Sequence, residues 1–296
     1  MAPGLCHNGG MKKLCKIVLI PVLTVPFSLL WVVTAFWLVC TAMGCSPVNR
    51  LVYPGSLHAM PDEVCGHEQQ HITLPAPDGT PLAGWFFNRG AGKPLVMMFG
   101  GNNMNVGAFT DIAAADPARS YLLLNYRGYG NSKGTPNQKD IVQDALHALE
   151  LKQAELGNPP VIIVGYSIGT GVACQVASAG SVAPAKLILI CPFDSLTSVA
   201  TGFVPLLPHL LLSDSYDSVG AVSRLYCPIS ILRAQFDEVI APKHTDRLIE
   251  RITKARITKV REQNPAVFTF PAGHNNIFSA PGFNETLRQQ MELRLR

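Results

Sequence analysis

The chain has 296 residues, 48% of them hydrophobic and 15% charged, with a net charge of +4. That length suits one α/β domain plus an appendage. The small, dispersed positive charge gives no footprint for a nucleic-acid partner, though it suits mild attraction to an anionic membrane surface. The eight cysteines show no Cys-x-x-Cys or Cys/His spacing, so no metal site is expected.

The first element is apolar. Lys12, Lys13 and Lys16 are followed by no charged residue until Arg50, and Ile17 to Cys45 between them is apolar almost throughout. At about 1.5 Å per helical residue this exceeds a hydrocarbon core of about 30 Å. Pro21 and Pro26 would kink such a helix without forbidding it. Lysines before the span and none just after it direct the N-terminus to the cytoplasm and the remainder outside. Two readings stand side by side: an uncleaved signal anchor, or a lipoprotein signal ending in Ala42-Met43-Gly44-Cys45, with Cys45 lipidated. Both make residues 1–45 a membrane tether and 46–296 an exported domain. A disulfide is permitted there, but Cys65, Cys174, Cys191 and Cys227 show no framework and none is expected. Cys174 and Cys191 read as small buried hydrophobes.

Past residue 50, strand-like and helix-like segments alternate, which predicts a largely parallel sheet with helices on both faces. His71 to Leu74 and Leu82 to Phe87 flank Asp78-Gly79, a hairpin signal, and form an antiparallel edge. Leu95 to Phe99, Tyr121 to Leu124, Val161 to Val164, Leu187 to Ile190, Ile229 to Leu232 and Ala266 to Phe270 are short apolar runs between Gly, Pro or Asn, expected to be strands buried on both faces. Asp140 to Leu156 predicts an amphipathic helix stopped by Gly157, with Ile141, Ala145, Ala148, Leu149 and Leu156 inward. Pro242 to Lys254 and Glu285 to Arg296 are expected to be further helices. Phe193 to Tyr226 contains the proline-broken apolar stretch Pro205 to Leu212, read either as an ordinary crossover helix or as a small apolar lip over the C-terminal edge of the sheet.

The chemistry centres on Gly165-Tyr166-Ser167-Ile168-Gly169. This G-x-S-x-G follows a β-branched run and precedes the small residues Thr170 to Ala177, the strand–turn–helix setting of a nucleophile elbow. The turn needs a strained serine, and a Cβ at either glycine would strike the neighbouring strand or helix. Ser167 therefore reads as a nucleophile, which at neutral pH needs a base held by a carboxylate. His274, in Ala272-Gly273-His274-Asn275-Asn276, follows the last strand and is the expected base. His244 reads as a solvated residue or one opening a helix, and His209 lies in the proline-broken segment. Asp237 follows the Ile229 to Leu232 strand and is the expected acid; its neighbour Glu238 should point elsewhere, and Asp194, Asp214 and Asp217 read as cap or turn residues. The oxyanion donors are expected to be the backbone N–H groups of Ile168 and Asn102, the latter in Gly100-Gly101-Asn102-Asn103-Met104-Asn105.

Taken together these residues resemble the α/β-hydrolase superfamily, and within it the small membrane-associated serine hydrolases that include acyl-protein thioesterases and lysophospholipid or monoacylglycerol lipases. The resemblance covers about residues 70 to 280. Gly100 to Asn105 is similar to that group's H-G-N-x-x-N loop, Tyr126-Arg127-Gly128-Tyr129-Gly130-Asn131-Ser132-Lys133-Gly134 to its Y-R-G-Y-G-x-S-x-G loop, and Asp144-Ala145 to the D-A that follows. Pro192-Phe193 and Asp237 to Pro242 also fit. Gly100 stands where the family usually has His, removing a side chain that braces the oxyanion loop. The resemblance implies an α/β-hydrolase fold with an eight-stranded sheet, a small cap or none, and no metal or organic cofactor. The implied substrate is a small or acylated ester or thioester, lipid-like in character. An amidase or peptidase on the same fold, or a catalytically silent binding protein, are the alternatives.

Overall fold

The structure is a computed structural model that describes residues 35, 51–57, 62, 66–180, 182–203, 213–258 and 264–293. The chain divides into two units, Met1–Asn49 and Arg50–Arg296, and the second carries the fold described below. Apart from residue 35, the expected leader with Cys45, together with Cys65, His209 and Pro205 to Leu212, lies outside the described residues. No helix among those described is long and apolar enough to cross a membrane.

Eight strands form one sheet: β1 (His71–Pro75), β2 (Pro81–Phe87), β3 (Leu95–Phe99), β4 (Ser120–Leu124), β5 (Val161–Tyr166), β6 (Lys186–Ile190), β7 (Ile229–Ala234) and β8 (Ala266–Phe270). Their spatial order is β1-β2-β4-β3-β5-β6-β7-β8. β2 runs antiparallel to both β1 and β4, with Leu74 opposite Leu82 and Gly84 opposite Leu124; all other pairs are parallel. The helices are α1 (Thr110–Ala114), α2 (Gln138–Glu155), α3 (Ile168–Ser178), α4 (Leu196–Phe203), α5 (Ser218–Val222), α6 (Pro242–Thr258) and α7 (Phe283–Gln290).

The continuous apolar runs follow from burial on both faces of the sheet. Successive side chains of a strand point to opposite faces, and β5 shows it. Val161 and Ile163 join the cluster containing Val172 and Val176 of α3 and Ile141 of α2. Ile162 and Val164 join the cluster containing Phe109, Phe283 and Leu287. Each fully buried aliphatic contributes about 1.5–3 kcal/mol relative to exposure. Helix α2 places Ile141, Ala145, Ala148 and Leu149 inward as the spacing predicts, and its first turn is capped by Asn137, whose side chain accepts from Asp140 N–H.

Two expectations need correction. β8 is not buried on both faces: it is the outer strand of the sheet, and Val267 is 41% exposed. Its apolar run is indistinguishable from that of an inner strand, so composition alone misplaces it. The last helix is Phe283–Gln290 rather than Glu285 to Arg296; it starts after Gly282, which has φ 76°, and the Met291 N–H closes it on Leu287 and Arg288 carbonyls.

Candidate active site

β5 runs into α3 through Ser167, the residue at the tip of the turn. Ser167 has φ 54° and ψ −123°, a region that costs a non-glycine residue on the order of 1–3 kcal/mol. The two flanking glycines are fixed by crowding. A Cβ at Gly165 would meet the Gly169 backbone and Ala173 on the helix, and one at Gly169 would meet the Phe99 and Gly100 carbonyl oxygens of β3. The helix can approach the sheet this closely only without those carbons. Thr170 locks the turn: its N–H and its hydroxyl both donate to the Ser167 carbonyl, at 2.9 and 2.7 Å.

The histidine comes from the loop after β8. His274 Nε2 lies 2.9 Å from Ser167 Oγ, and its Nδ1 lies 2.9 and 3.0 Å from the two carboxylate oxygens of Asp237. With Nδ1–H donating to the carboxylate, a neutral imidazole leaves Nε2 to accept the serine proton. Asp237 follows β7, and its Oδ1 also accepts the N–H groups of Val239 and Ile240 at 3.0 and 2.7 Å. Burial by itself would raise this carboxyl; the hydrogen bond from His274 and those two N–H groups outweigh it and hold Asp237 below its ordinary value. The structure brings Ser167, His274 and Asp237 together. They lie on three separate loops at the carboxyl edge of the parallel sheet, which is why chain order alone could pair them.

Several neighbours escaped the sequence reading. Glu238 does not point elsewhere: its Oε2 accepts the His274 backbone N–H at 3.0 Å, a bond that holds its carboxyl below the usual range. Tyr166 donates its hydroxyl to the His274 carbonyl at 3.1 Å and lays its ring against the imidazole, centroids 5.4 Å apart. Cys191 is fully buried as expected, yet it is more than filler. It takes φ 50° at the end of β6 and its ligand atom lies within 4.8 Å of those of Asp237 and His274. This is the one group of three metal-capable side chains among the described residues. Asp237 and His274 are committed to each other, and burial holds the Cys191 thiol well above its usual pKa. Cys174 is likewise buried, its thiol pushed up to about 12.

The expected oxyanion loop passes beside the nucleophile, where a Cβ on Gly101 would stand 3.7 Å from Ser167 Cβ. Ile168 opens α3, so its N–H belongs to the first turn, which has no intrahelical acceptor. The Asn102 carbonyl accepts from Tyr129 Oη at 2.6 Å and from Gly55 N–H at 3.1 Å; Tyr126 Oη donates to the Gly100 carbonyl at 2.9 Å. The tyrosines of the Tyr126 to Gly134 loop thus brace the very segment that lacks a histidine at position 100. Arg127 between them donates to both oxygens of Asp144 (2.6 and 2.7 Å) and to Asp78 (2.6 Å), tying this loop to α2 and the hairpin.

The rival histidine is not solvated. His244 opens α6 but is 3% exposed, with Nδ1 2.8 Å from Asp194 Oδ1. Asp194 also accepts from Ser198 Oγ, Ser195 N–H and Arg247, so it ties α4 to α6 rather than capping a simple turn. Asp214 accepts from the Tyr53 hydroxyl and from the Gln138 N–H that begins α2, while Asp217 caps α5 as expected.

Residues 94–222 match the family described as the alpha/beta hydrolase fold. The chain has the α/β-hydrolase fold. The chain is 30% identical over 183 residues to an uncharacterised protein of Mycobacterium tuberculosis, covering 60% of this chain and 65% of that one, just under two thirds of its length. It is 30% identical over 188 residues to the lysophosphatidylserine lipase ABHD12 of Macaca fascicularis, covering 57% of this chain and 47% of the lipase. Among solved structures, an alpha-beta hydrolase from Vibrio vulnificus superposes with a TM-score of 0.65 at 19% identity, covering 83% of this chain and 93% of that one.

Proposed function

We propose that this chain is a serine hydrolase that cleaves carboxylic esters or thioesters through an acyl-enzyme. The observation that carries the reading is the continuous chain Ser167 Oγ–His274 Nε2, 2.9 Å, and His274 Nδ1–Asp237, 2.9 Å, at the end of an elbow. Ser167 attacks the carbonyl carbon as His274 takes its proton, and the oxyanion is received by the N–H groups of Ile168 and Asn102. The imidazolium then gives its proton to the departing alcohol or thiol. Water, deprotonated by the same nitrogen, attacks the acyl-serine and releases the acid. Asp237 fixes the tautomer and stabilises the imidazolium throughout.

A lipid-like acyl substrate is supported by the apolar leader and by the lipase named among the relatives. Residues 1–45 tether the enzyme to a membrane and 46–296 form the catalytic domain on its extracytoplasmic side. An alkaline carbonate wash that frees the full chain from membranes would count against the tether.

The chemistry is tested by fluorophosphonate labelling of the purified protein beside Ser167→Ala and His274→Ala, with p-nitrophenyl esters of graded chain length. Labelling lost in Ser167→Ala, with turnover lost in both variants, is expected, along with a preference for longer acyl chains. A folded wild-type protein that neither labels nor hydrolyses any ester refutes the reading.

A further inference from the structure

The segment between the leader and β1 carries no motif, yet it buries two polar side chains that the reaction described above does not use. Tyr53 is fully buried and Asp62 is 3% exposed. Gly55, two residues after Tyr53, and Asp62 both reach the Gly100 to Asn105 loop. Gly55 N–H donates to the Asn102 carbonyl at 3.1 Å. Asp62 Oδ1 accepts the side-chain amide of Asn105 at 2.8 Å and that of Asn125 at 3.0 Å. Those two asparagines set the end of the loop: Asn105 Oδ1 accepts Gly107 N–H and Asn125 Oδ1 accepts Val106 N–H, each at 2.9 Å. Two residues of one short segment therefore hold the loop at Asn102 and at Asn105.

We propose that this segment is a positioning strap for the oxyanion loop, with Gly55 and Asp62 as the positioning residues and Tyr53 as its anchor. The inference rests on the serine-hydrolase reading above. A planar peptide aims its N–H opposite its carbonyl, so a loop whose carbonyls are pinned has its N–H groups aimed as well. The Gly101 carbonyl accepts from Met104 N–H at 3.3 Å, and the peptide it belongs to is the one that carries the Asn102 N–H. The Asn102 carbonyl, on the next peptide, is pinned by Gly55 and Tyr129 together. Gly55 has no room for a side chain, since a Cβ there would enter the Tyr129 ring. Any substitution must displace either the strap or the tyrosine, and both hold the same carbonyl. The strap is fastened in turn by the Tyr53 hydroxyl, which donates to Asp214 Oδ2 at 2.6 Å and lies 2.8 Å from the Tyr216 hydroxyl. An oxyanion hole acts through donors fixed before the reaction begins, and here the fixing groups lie outside the elbow, the histidine loop and the acid loop.

The test is steady-state kinetics on the full chain in detergent for wild type, Asp62→Ala, Asp62→Asn, Gly55→Ala and Tyr53→Phe. Rates are expressed per active site titrated to completion with a fluorophosphonate. Inhibition by an alkyl boronic acid, whose serine adduct places an oxygen in the hole, is measured in parallel. Asp116→Asn is the control for loss of a buried carboxylate: Asp116 precedes β4, at the opposite edge of the sheet, and is 4% exposed. A displaced donor is expected to lower kcat per site about tenfold or more in Asp62→Ala and Gly55→Ala, with KM changed by less than about threefold. Boronate affinity should fall in step, Asp62→Asn and Tyr53→Phe should be intermediate, and Asp116→Asn should keep its kcat per site. A merely structural strap would lower the number of titratable sites and leave kcat per site intact in every variant, which overturns the proposal. Should Asp62→Ala fail to fold, Gly55→Ala and Asp62→Asn decide by the same criterion. A wild-type protein without turnover refutes the hydrolase reading itself; an active one whose variants match it refutes only the strap.

Discussion

Asp237→Asn separates the electronic role of the carboxylate from its structural one. Oδ1 accepts the N–H groups of Val239 and Ile240, at 3.0 and 2.7 Å, and both oxygens face His274 Nδ1, Oδ1 at 3.0 Å and Oδ2, which has no backbone donor, at 2.9 Å. An asparagine must keep its carbonyl oxygen on the two backbone donors, because turning its NH2 toward them would set donors against donors. The amide nitrogen then takes the Oδ2 position and donates to Nδ1, which moves the imidazole proton onto Nε2, against the Ser167 hydroxyl. The base is occupied although every heavy atom stays in place. The expected loss is about 10⁴-fold in kcat, about 5.4 kcal/mol of barrier, with KM nearly unchanged. Folding should change by no more than about 1 kcal/mol because both loop hydrogen bonds survive, whereas Asp237→Ala strands two N–H groups at about 1–3 kcal/mol. Ester kinetics per titrated site supply the rate, and nitrogen NMR of the imidazole reports which nitrogen carries the proton. A folded Asp237→Asn protein that retains more than about a tenth of wild-type kcat would show that His274 is not the base or that Asp237 does not set its tautomer.

The same carboxylate predicts a pH effect. Its folded value lies below its unfolded one, so its stabilisation is complete above the unfolded value of about 3.9 and fades as pH falls through the folded value. Thermal melts should show the stability gap between wild type and Asp237→Ala shrinking on acidification, and a constant gap would contradict this. Gly169→Ala adds helix propensity of about 1 kcal/mol but drives a Cβ into the Phe99 and Gly100 carbonyls. The net result should be a loss of about 1–3 kcal/mol or more, seen as a lower melting temperature. Arg127→Met strips both hydrogen bonds from the buried Asp144, whose carboxyl burial already pushes upward. A cost of about 3–5 kcal/mol is expected, with most of it recovered in Arg127→Met/Asp144→Leu. A double variant no more stable than the single one would refute the argument.

The strands, the α2 face and the elbow were legible because their signals are local. Val161 to Val164 needs apolar neighbours on both sides of one strand, and the crowding at Gly165 and Gly169 arises within one turn. The adjacency of Asp237 and His274 was legible because both follow strands that end at the same edge of the sheet. What could not be read were bonds between distant loops: Tyr166 to His274 spans 108 positions and Tyr53 to Asp214 spans 161. Neither pair leaves a periodicity or a spacing. His244 does open a helix, one of its two readings, but its burial left no sign in the sequence because its partner, Asp194, sits 50 positions earlier. β8 was misplaced because an outer strand packed on a helix on one face can be as apolar as an inner one.

The outer position of β8 bears on how this molecule loses its function. His274 is carried by the loop that leaves β8, and β8 is paired on one side to β7 with Ala266, Val267 and Thr269 open to solvent. Outer strands with little buried area open at lower free energy than the centre of a sheet. Ser167 hangs on β5, in the middle of the sheet, and His274 on its margin. Peeling back the last strand would remove His274 while leaving Ser167 in its turn, so on the proposed mechanism heat or mild denaturant should abolish ester turnover well before the sheet itself melts.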